Sequence, residues 1–341
     1  MDVSLTSILR DAVPYSLPLR QSFRRITERE GLLIRGPSGW GEFAPFDDYS
    51  AARAAPWLAA AVESAFGTWP EPLRDRVPVN AIIPGLSASD AGALARRAVL
   101  EHGCSTFKIK VAALGEVLAD DEARVVAVRD AADSALRSIG DDRPARIRLD
   151  ANGGWSADAA ERALGRLSAY DVEYVEQPCP TVDETAELRG RTGVAIAMDE
   201  SVRFGESRVF DVADIVIVKV APLGGVAAAL ALARRWGGPV VVSGALDSAV
   251  GLSAGVALAA ALGGDPPAAG LGTGALLERD VVDPPLVPEN GCLKVGRVAP
   301  DLDALMAARD RLGDDRARWW RQRLVDAWEA GGAELVTELC A

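Results

Sequence analysis

The chain has 341 residues, 49% of them hydrophobic and 25% charged, enough to bury the core of one large α/β domain with an appendage or of two domains. Its net charge of −12 argues against nucleic acid or an anionic membrane as the main partner and leaves room for a small anionic ligand at a local positive centre. No basic-then-apolar leader opens it and no uncharged apolar run could span a bilayer, so a cytoplasmic, membrane-free protein is expected.

Residues 1–75 read as a small α+β module: short strands at Ser16–Arg20, Arg24–Glu28 and Gly31–Arg35, a turn at Gly36–Gly41, a loop at Glu42–Tyr49 and an amphipathic helix at Ala51–Phe66. Pro70, Pro72 and Pro78 mark its border. From Val77 to residue 285 strands and helices alternate. The strands are Val77–Ile83, Thr106–Val111, Arg146–Asp150, Val172–Glu176, Val194–Met198, Ile215–Val220, Val240–Ser243 and Ala269–Gly272. The helices between them are Ala88–His102, Leu118–Ser138, Ala157–Tyr170, Val182–Thr192, a short one near Val202–Val212, Gly225–Trp236 and Ser248–Leu262. Strands apolar on both faces and joined by helices form a parallel sheet, and eight such units close a (β/α)8-type barrel. Residues 286–341 leave this rhythm. They hold a strand at Gly291–Val298 and a helix at Arg318–Glu329, whose Trp319, Trp320 and Trp328 are expected to pack back on the first module.

Three strands end in carboxylates: Asp150, Glu176 and Asp199, 26 and 23 residues apart, about one strand–helix–strand step each. Successive parallel strands deliver all three to one end of the sheet. Single loop carboxylates are mostly solvated, but three closing apolar runs at matched spacing point to a hard divalent cation, Mg²⁺. Lys108 and Lys110 share one face of their strand. K-I-K alone suits an exposed edge; in a strand otherwise buried, the two ammonium groups need anionic partners, which the carboxylates supply. Across the ring, Lys219 ends an aliphatic strand. Burial and nearby cations disfavour the charged form of an amine, and opposed lysines beside a metal suit proton abstraction next to a carboxylate. His102 is the single histidine, which narrows any chemistry built on imidazole. Cys104, Cys179, Cys292 and Cys340 are scattered and read as reduced thiols.

Lys108-Ile109-Lys110, Asp150-Ala151-Asn152, Glu176-Gln177-Pro178, Asp199-Glu200-Ser201 and the lone Lys219, in this order, resemble the enolase superfamily in its muconate-lactonizing subgroup. Gly39-Trp40-Gly41-Glu42 extends the resemblance over nearly the whole chain. It implies a barrel capped by an α+β domain built from both terminal segments, with Asp150, Glu176 and Asp199 holding Mg²⁺, or Mn²⁺ in its stead. It implies Lys110 as the base and then the acid for a departing hydroxyl, Lys108 as the group that adjusts it, and Lys219 as the stabiliser of an enediolate. Asn152, Arg148 and Glu200 would stand behind these. Within the subgroup the short cap, the Val77–Ala81 strand, Arg148-Leu149-Asp150-Ala151-Asn152, Ser243-Gly244 and Gly270-Leu271-Gly272 resemble the members that dehydrate 2-succinyl-6-hydroxy-2,4-cyclohexadiene-1-carboxylate in menaquinone biosynthesis. Backbone amides around Ser243, Gly244, Gly270, Leu271 and Gly272 would then hold the succinyl carboxylate. The same scaffold also serves N-succinylamino acid racemases and muconate cycloisomerases.

Two motifs mislead. Gly251-Leu252-Ser253-Ala254-Gly255 matches a hydrolase nucleophile elbow, but lies in a helical run with no histidine after it. Gly270–Gly274 is glycine-rich without the lysine or acidic partner a nucleotide site needs. A binding or scaffold protein is the rival from another class, and chemically competent residues at all six key positions weigh against it. The capping loops Val13–Phe23 and Phe43–Ser50 are expected to set specificity, with Tyr15, Arg20 and Asp48 as candidates to face substrate. Oligomeric state is not legible.

Overall fold

The computed structural model describes residues 3–23, 26–206 and 208–340. Strands β1 (Ala12–Phe23), β2 (Ile26–Gly36) and β3 (Gly39–Phe43) form an antiparallel sheet in that order. Part of the expected strand at 24–28 and one position of the expected helix at 202–212, Ser207, lie outside the described residues. The expected turn at Gly36–Gly41 is only two residues long, because Gly39 opens β3. Leu32 and Ile34 face the helix Ala51–Phe66, whereas Leu33 on the opposite face joins Tyr15, Leu17, Leu246 and Val250 at the barrel rim. The helix lies so close that a Cβ on Gly41 would stand 1.9 Å from the carbonyl oxygen of Ala61. Residues past 300 return here. Trp320 and Leu324 of the helix Asp314–Ala327 enter the same apolar cluster, and the Trp320 indole donates to Glu30 at 2.9 Å.

The barrel follows. β4 (Arg76–Pro78) pairs antiparallel with β12 (Cys292–Lys294), which splits the expected Val77–Ile83 strand in two. The parallel sheet runs β5 (Ala81–Ile83), β6 (Thr106–Lys110), β7 (Arg146–Asp150), β8 (Val172–Glu176), β9 (Ile196–Met198), β10 (Ile215–Val218) and β11 (Val240–Val242), each hydrogen-bonded to the next. The expected eighth strand is reduced to two bridge residues: Ala269 pairs with Val79 and Gly270 with Ser243, and a 3-10 turn begins at Gly272. Glycines at 270, 272 and 274 supply no side chain to extend a strand, and a Cβ on Gly272 would meet Asn80 O at 2.4 Å. The ring closes through bonds rather than through a full strand.

Outward-facing residues of the strands meet the helices in the largest core cluster, while Tyr174, Ala197, Ile217 and Val241 form an inner layer of the barrel. The helix Ala249–Ala261 is buried nearly all round rather than amphipathic, being wedged between cap and barrel. Its Ser253 hydroxyl donates to Val250 O, a bond within the helix that no nucleophile elbow would make. Among the described residues no helix is long and apolar enough to cross a membrane.

Candidate active site

Strand parity builds the site. Phe107 and Ile109 of β6 face the helices, so Lys108 and Lys110 point into the barrel mouth. Ile147 and Leu149 turn outward in β7 and leave Arg148 and Asp150 inside; Val175 does the same for Tyr174 and Glu176. Ile196 and Met198 face out, Ala197 faces in, and Asp199 follows at inward parity. After inward Ile217 the same count brings in Lys219. Register aligns the ends, with Lys110 opposite Asp150 and Asp150 opposite Glu176.

The charges interlock. Lys108 Nζ lies 3.0 Å from Asp150 Oδ2 and 2.8 Å from Glu176 Oε1, and Lys219 Nζ lies 2.6 Å from Asp199 Oδ2. Lys110 donates to Asn152 Oδ1 in a short bond, and Asn152 Nδ2 donates to Glu200 Oε1 at 3.3 Å. Asn152 takes this position from the left-handed region, φ +43°, a cost that a non-glycine residue bears where a turn must aim its side chain. Burial pushes the Lys110 ammonium below its usual range, with Lys108 adding to the effect, although Asp150 and Glu200 oppose it. Burial acts on Lys108 in the same direction, but Asp150 and Glu176 outweigh it and hold that amine well above the lysine value. One lysine is thereby readied to lose its proton and its neighbour two residues away is kept charged. Burial pushes Glu176 up to about 7, Lys108 offsetting part of this. Asp199 goes down to about 2, because Lys219 and Arg203 overcome its burial.

The chemistry of the donors fits a hard divalent cation. Glu176 Oε2 and Asp199 Oδ1 are buried without a hydrogen-bond donor, as is Glu200 Oε2, so the site keeps carboxylate oxygens to offer. Among the described residues no three His, Cys, Asp or Glu groups are already gathered closely enough to hold a metal ion. Lys108 instead bridges Asp150 and Glu176, and Lys219 pairs with Asp199.

Other expected residues are placed differently. Arg148 is fully buried deeper in the barrel, where it donates to Glu173, to Asn80 and to Ala268 O and stacks over Tyr174, away from the carboxylate cluster. The amides of Ser243, Gly244 and Gly270 donate to Val218 O, Gly270 O and Val242 O. These three amides are engaged in closing the ring, whereas Leu271 and Gly272 adjoin them at the start of the 3-10 turn. Tyr15 is fully buried at the cap–barrel boundary, while Arg20 and Asp48 are exposed. Cys104, Cys179 and Cys292 are free thiols, and the side chain of Cys340 lies outside the described residues.

Sequence reasoning missed two residues. Gln177 accepts from the amides of Asp199 and Ser201 and donates to Cys179 O and Ser201 Oγ, which fixes the turn carrying Asp199. Arg203 ion-pairs with Asp199 and Glu200. Its signal was an arginine four residues after an aspartate, the distance of one helical turn.

A mouth lined by opposed lysines and strand-end carboxylates, under an α+β cap, defines an enzyme of the enolase type. A family profile described as enolase C-terminal domain-like matches residues 90–300, and one described as enolase N-terminal domain-like matches residues 14–65. The chain belongs to the enolase superfamily. It is 49% identical to an o-succinylbenzoate synthase of Thermobifida fusca, over 89% of this chain and 96% of that protein. It is 46% identical to the o-succinylbenzoate synthase of Mycobacterium tuberculosis H37Rv, over 94% of each chain. Among solved structures it is similar to a muconate lactonizing enzyme of Pseudomonas fluorescens complexed with muconolactone, with TM-score 0.71 and 20% identity over 87% of this chain and 97% of that one. It is also similar to a dipeptide epimerase of Enterococcus faecalis complexed with Mg and a dipeptide, with TM-score 0.68 and 20% identity over 85% and 97%. At such identities these structures support the capped barrel fold alone.

Proposed function

We propose that the chain catalyses the o-succinylbenzoate synthase reaction, the syn-dehydration of 2-succinyl-6-hydroxy-2,4-cyclohexadiene-1-carboxylate in menaquinone biosynthesis. The observation that carries this reading is a strand-end Lys110 held by Asn152, with Lys219 ion-paired to Asp199, in a chain 46–49% identical to synthases over about nine-tenths of its length. Asp150, Glu176 and Asp199 would hold Mg²⁺, or Mn²⁺ in its stead, which when bound supplies positive charge to the substrate carboxylate and so acidifies the adjacent carbon.

Lys110, its ammonium disfavoured by burial, takes the proton from that carbon. The electron pair develops as an enediolate, and Lys219, already ion-paired to Asp199, stabilises it from the opposite face. Lys110 then returns its proton to the departing hydroxyl on the same face of the ring. The C–O bond breaks, water leaves and the ring becomes aromatic. Lys108 stays charged between Asp150 and Glu176 and holds the Lys110 amine toward its neutral form. Asn152 orients Lys110 by accepting from it. We assign the succinyl arm to the neighbourhood of Leu271 and Gly272.

Two opposed lysines also suit racemisation of an N-succinylamino acid, the specific observation that favours a second activity. Measuring kcat/KM on the cyclohexadiene acid and on N-succinylamino acids separates the two. A preference of about 100-fold or more for dehydration is expected; equal or faster racemisation would reverse the order of the readings. We further read residues 1–75 and 286–341 as one capping unit around a barrel of 76–285, supported by the apolar cluster that Trp57, Leu32, Trp320 and Leu324 share. The free thiols suit a cytoplasmic setting.

A further inference from the structure

Arg203 follows Asp199 by one turn, on the short helix Glu200–Arg203. Its side chain is 2% exposed, unusual for an arginine unless it is paired with carboxylates. Nη2 donates to Glu200 Oε1 at 2.6 Å and reaches Asp199 Oδ2 at 3.5 Å, and Nε stands 3.2 Å from Asp199 Oδ1. Nη1 leaves the barrel altogether and donates to the hydroxyl of Tyr49, in the capping loop, at 2.8 Å.

From this guanidinium two branches run to the two lysines. Through Glu200 and Asn152 one reaches Lys110; through Asp199 the other reaches Lys219. Tyr49 is itself fixed, its ring packed edge-on to Phe46 at 5.7 Å and Trp57 at 6.3 Å. A second contact reinforces the bridge. Phe204 lies under the Arg203 guanidinium at 5.3 Å and under that of Arg53, from the capping helix, at 4.3 Å.

We propose that Arg203 is the positioning residue that joins both halves of the catalytic mouth, and that the Tyr49 hydroxyl sets its orientation from the cap. The inference rests on the functional reading above and deepens it. A guanidinium suits the post because its planar fork addresses two carboxylates and a hydroxyl at once, which an ammonium cannot do with the same geometry. Seating of the loop Phe43–Ser50 is thereby felt at Asp199 and Glu200, though Tyr49 touches neither lysine.

The test measures Mg²⁺ binding by calorimetry, and kcat and KM at saturating Mg²⁺, for the wild-type chain, Arg203→Lys and Tyr49→Phe. Arg203→Lys should raise the Mg²⁺ dissociation constant about tenfold or more and lower kcat by a similar factor, with KM changed less than about threefold. Tyr49→Phe keeps the ring contacts and loses one hydrogen bond to a charged group; it should raise the Mg²⁺ constant about threefold and lower kcat about fivefold. A merely structural role would lower Tm in both variants and leave Mg²⁺ affinity and kcat unchanged, and that result overturns the proposal. Should Arg203→Lys fail to fold, Tyr49→Phe decides alone. A wild-type chain that binds Mg²⁺ without dehydrating the substrate would sink the functional reading, while the Mg²⁺ titrations of the variants still judge the role of Arg203. A wild-type chain that binds no Mg²⁺ removes both.

Discussion

Lys110 and Lys108 lie two residues apart on one strand and are driven to opposite protonation tendencies by their partners. Lys108 has two carboxylates within 3.0 Å, whereas Lys110 has the neutral Asn152. Removing the amine from position 110 should therefore remove the base and little else. We expect Lys110→Ala to lower kcat about 1000-fold or more with an unchanged circular dichroism spectrum; near-normal turnover would end the base assignment. Asp199→Asn should weaken Mg²⁺ about tenfold or more, measured by calorimetry, because it withdraws charge from the proposed ligand set. Lys108, Lys110, Asp150, Glu176, Asp199 and Lys219 could be picked out in the sequence because charged side chains recur at the ends of apolar runs at matched spacing, although each alone has a neutral explanation. Gln177 and Arg203 were not. Their roles depend on a left-handed turn at Gln177, φ +41°, and on a cap loop 154 residues away in sequence, neither of which leaves a local pattern.

Among the elements, the helix Ala249–Ala261 shows how cap and barrel are joined. Glu42 of β3 crosses the boundary and accepts from the amides of Ser248 and Gly251 and from the Ser248 hydroxyl, so a residue of the cap serves the N-terminal turn of a barrel helix. Burial pushes the Glu42 carboxyl up to about 7, Asp247 adding to this and Arg29 opposing it. A carboxyl raised in the folded state favours folding below its unfolded value of 4.5; that contribution is lost as pH rises from 4.5 to about 7. Glu42→Gln should accordingly flatten the pH dependence of unfolding free energy between pH 5 and 8 by about 2 kcal/mol in urea titrations. An unchanged slope would mean that Glu42 is ionised throughout. Gly41→Ala, which drives a Cβ against Ala61 O, should cost about 3 kcal/mol or more in the same titration. Helices such as Ala51–Phe66, Ala88–His102 and Leu118–Ser138 were read to the residue from the pattern of the sequence. β3 and the eighth barrel position were not, because glycine-rich runs carry no alternation to count and their conformation is set by close approach of neighbours.

At the scale of the whole molecule, the barrel supplies a fixed ring of charged side chains, and the terminal segments pack together beside it, reaching Arg203 through Tyr49 and the start of the helix Ala249–Ala261 through Glu42. Chemistry is carried by strand ends that parity alone orients. The capping loops expected to set substrate choice have a composition that says little, which is why the mechanism could be read further than the contacts to the substrate. The direct measurement is loss of the cyclohexadiene absorbance in the presence of Mg²⁺, after chelation, and with Lys110→Ala. Rapid dehydration is expected, abolished by chelation, restored by added Mg²⁺ and absent from the variant. Dehydration that persists without divalent metal, or none with it, would overturn the assignment.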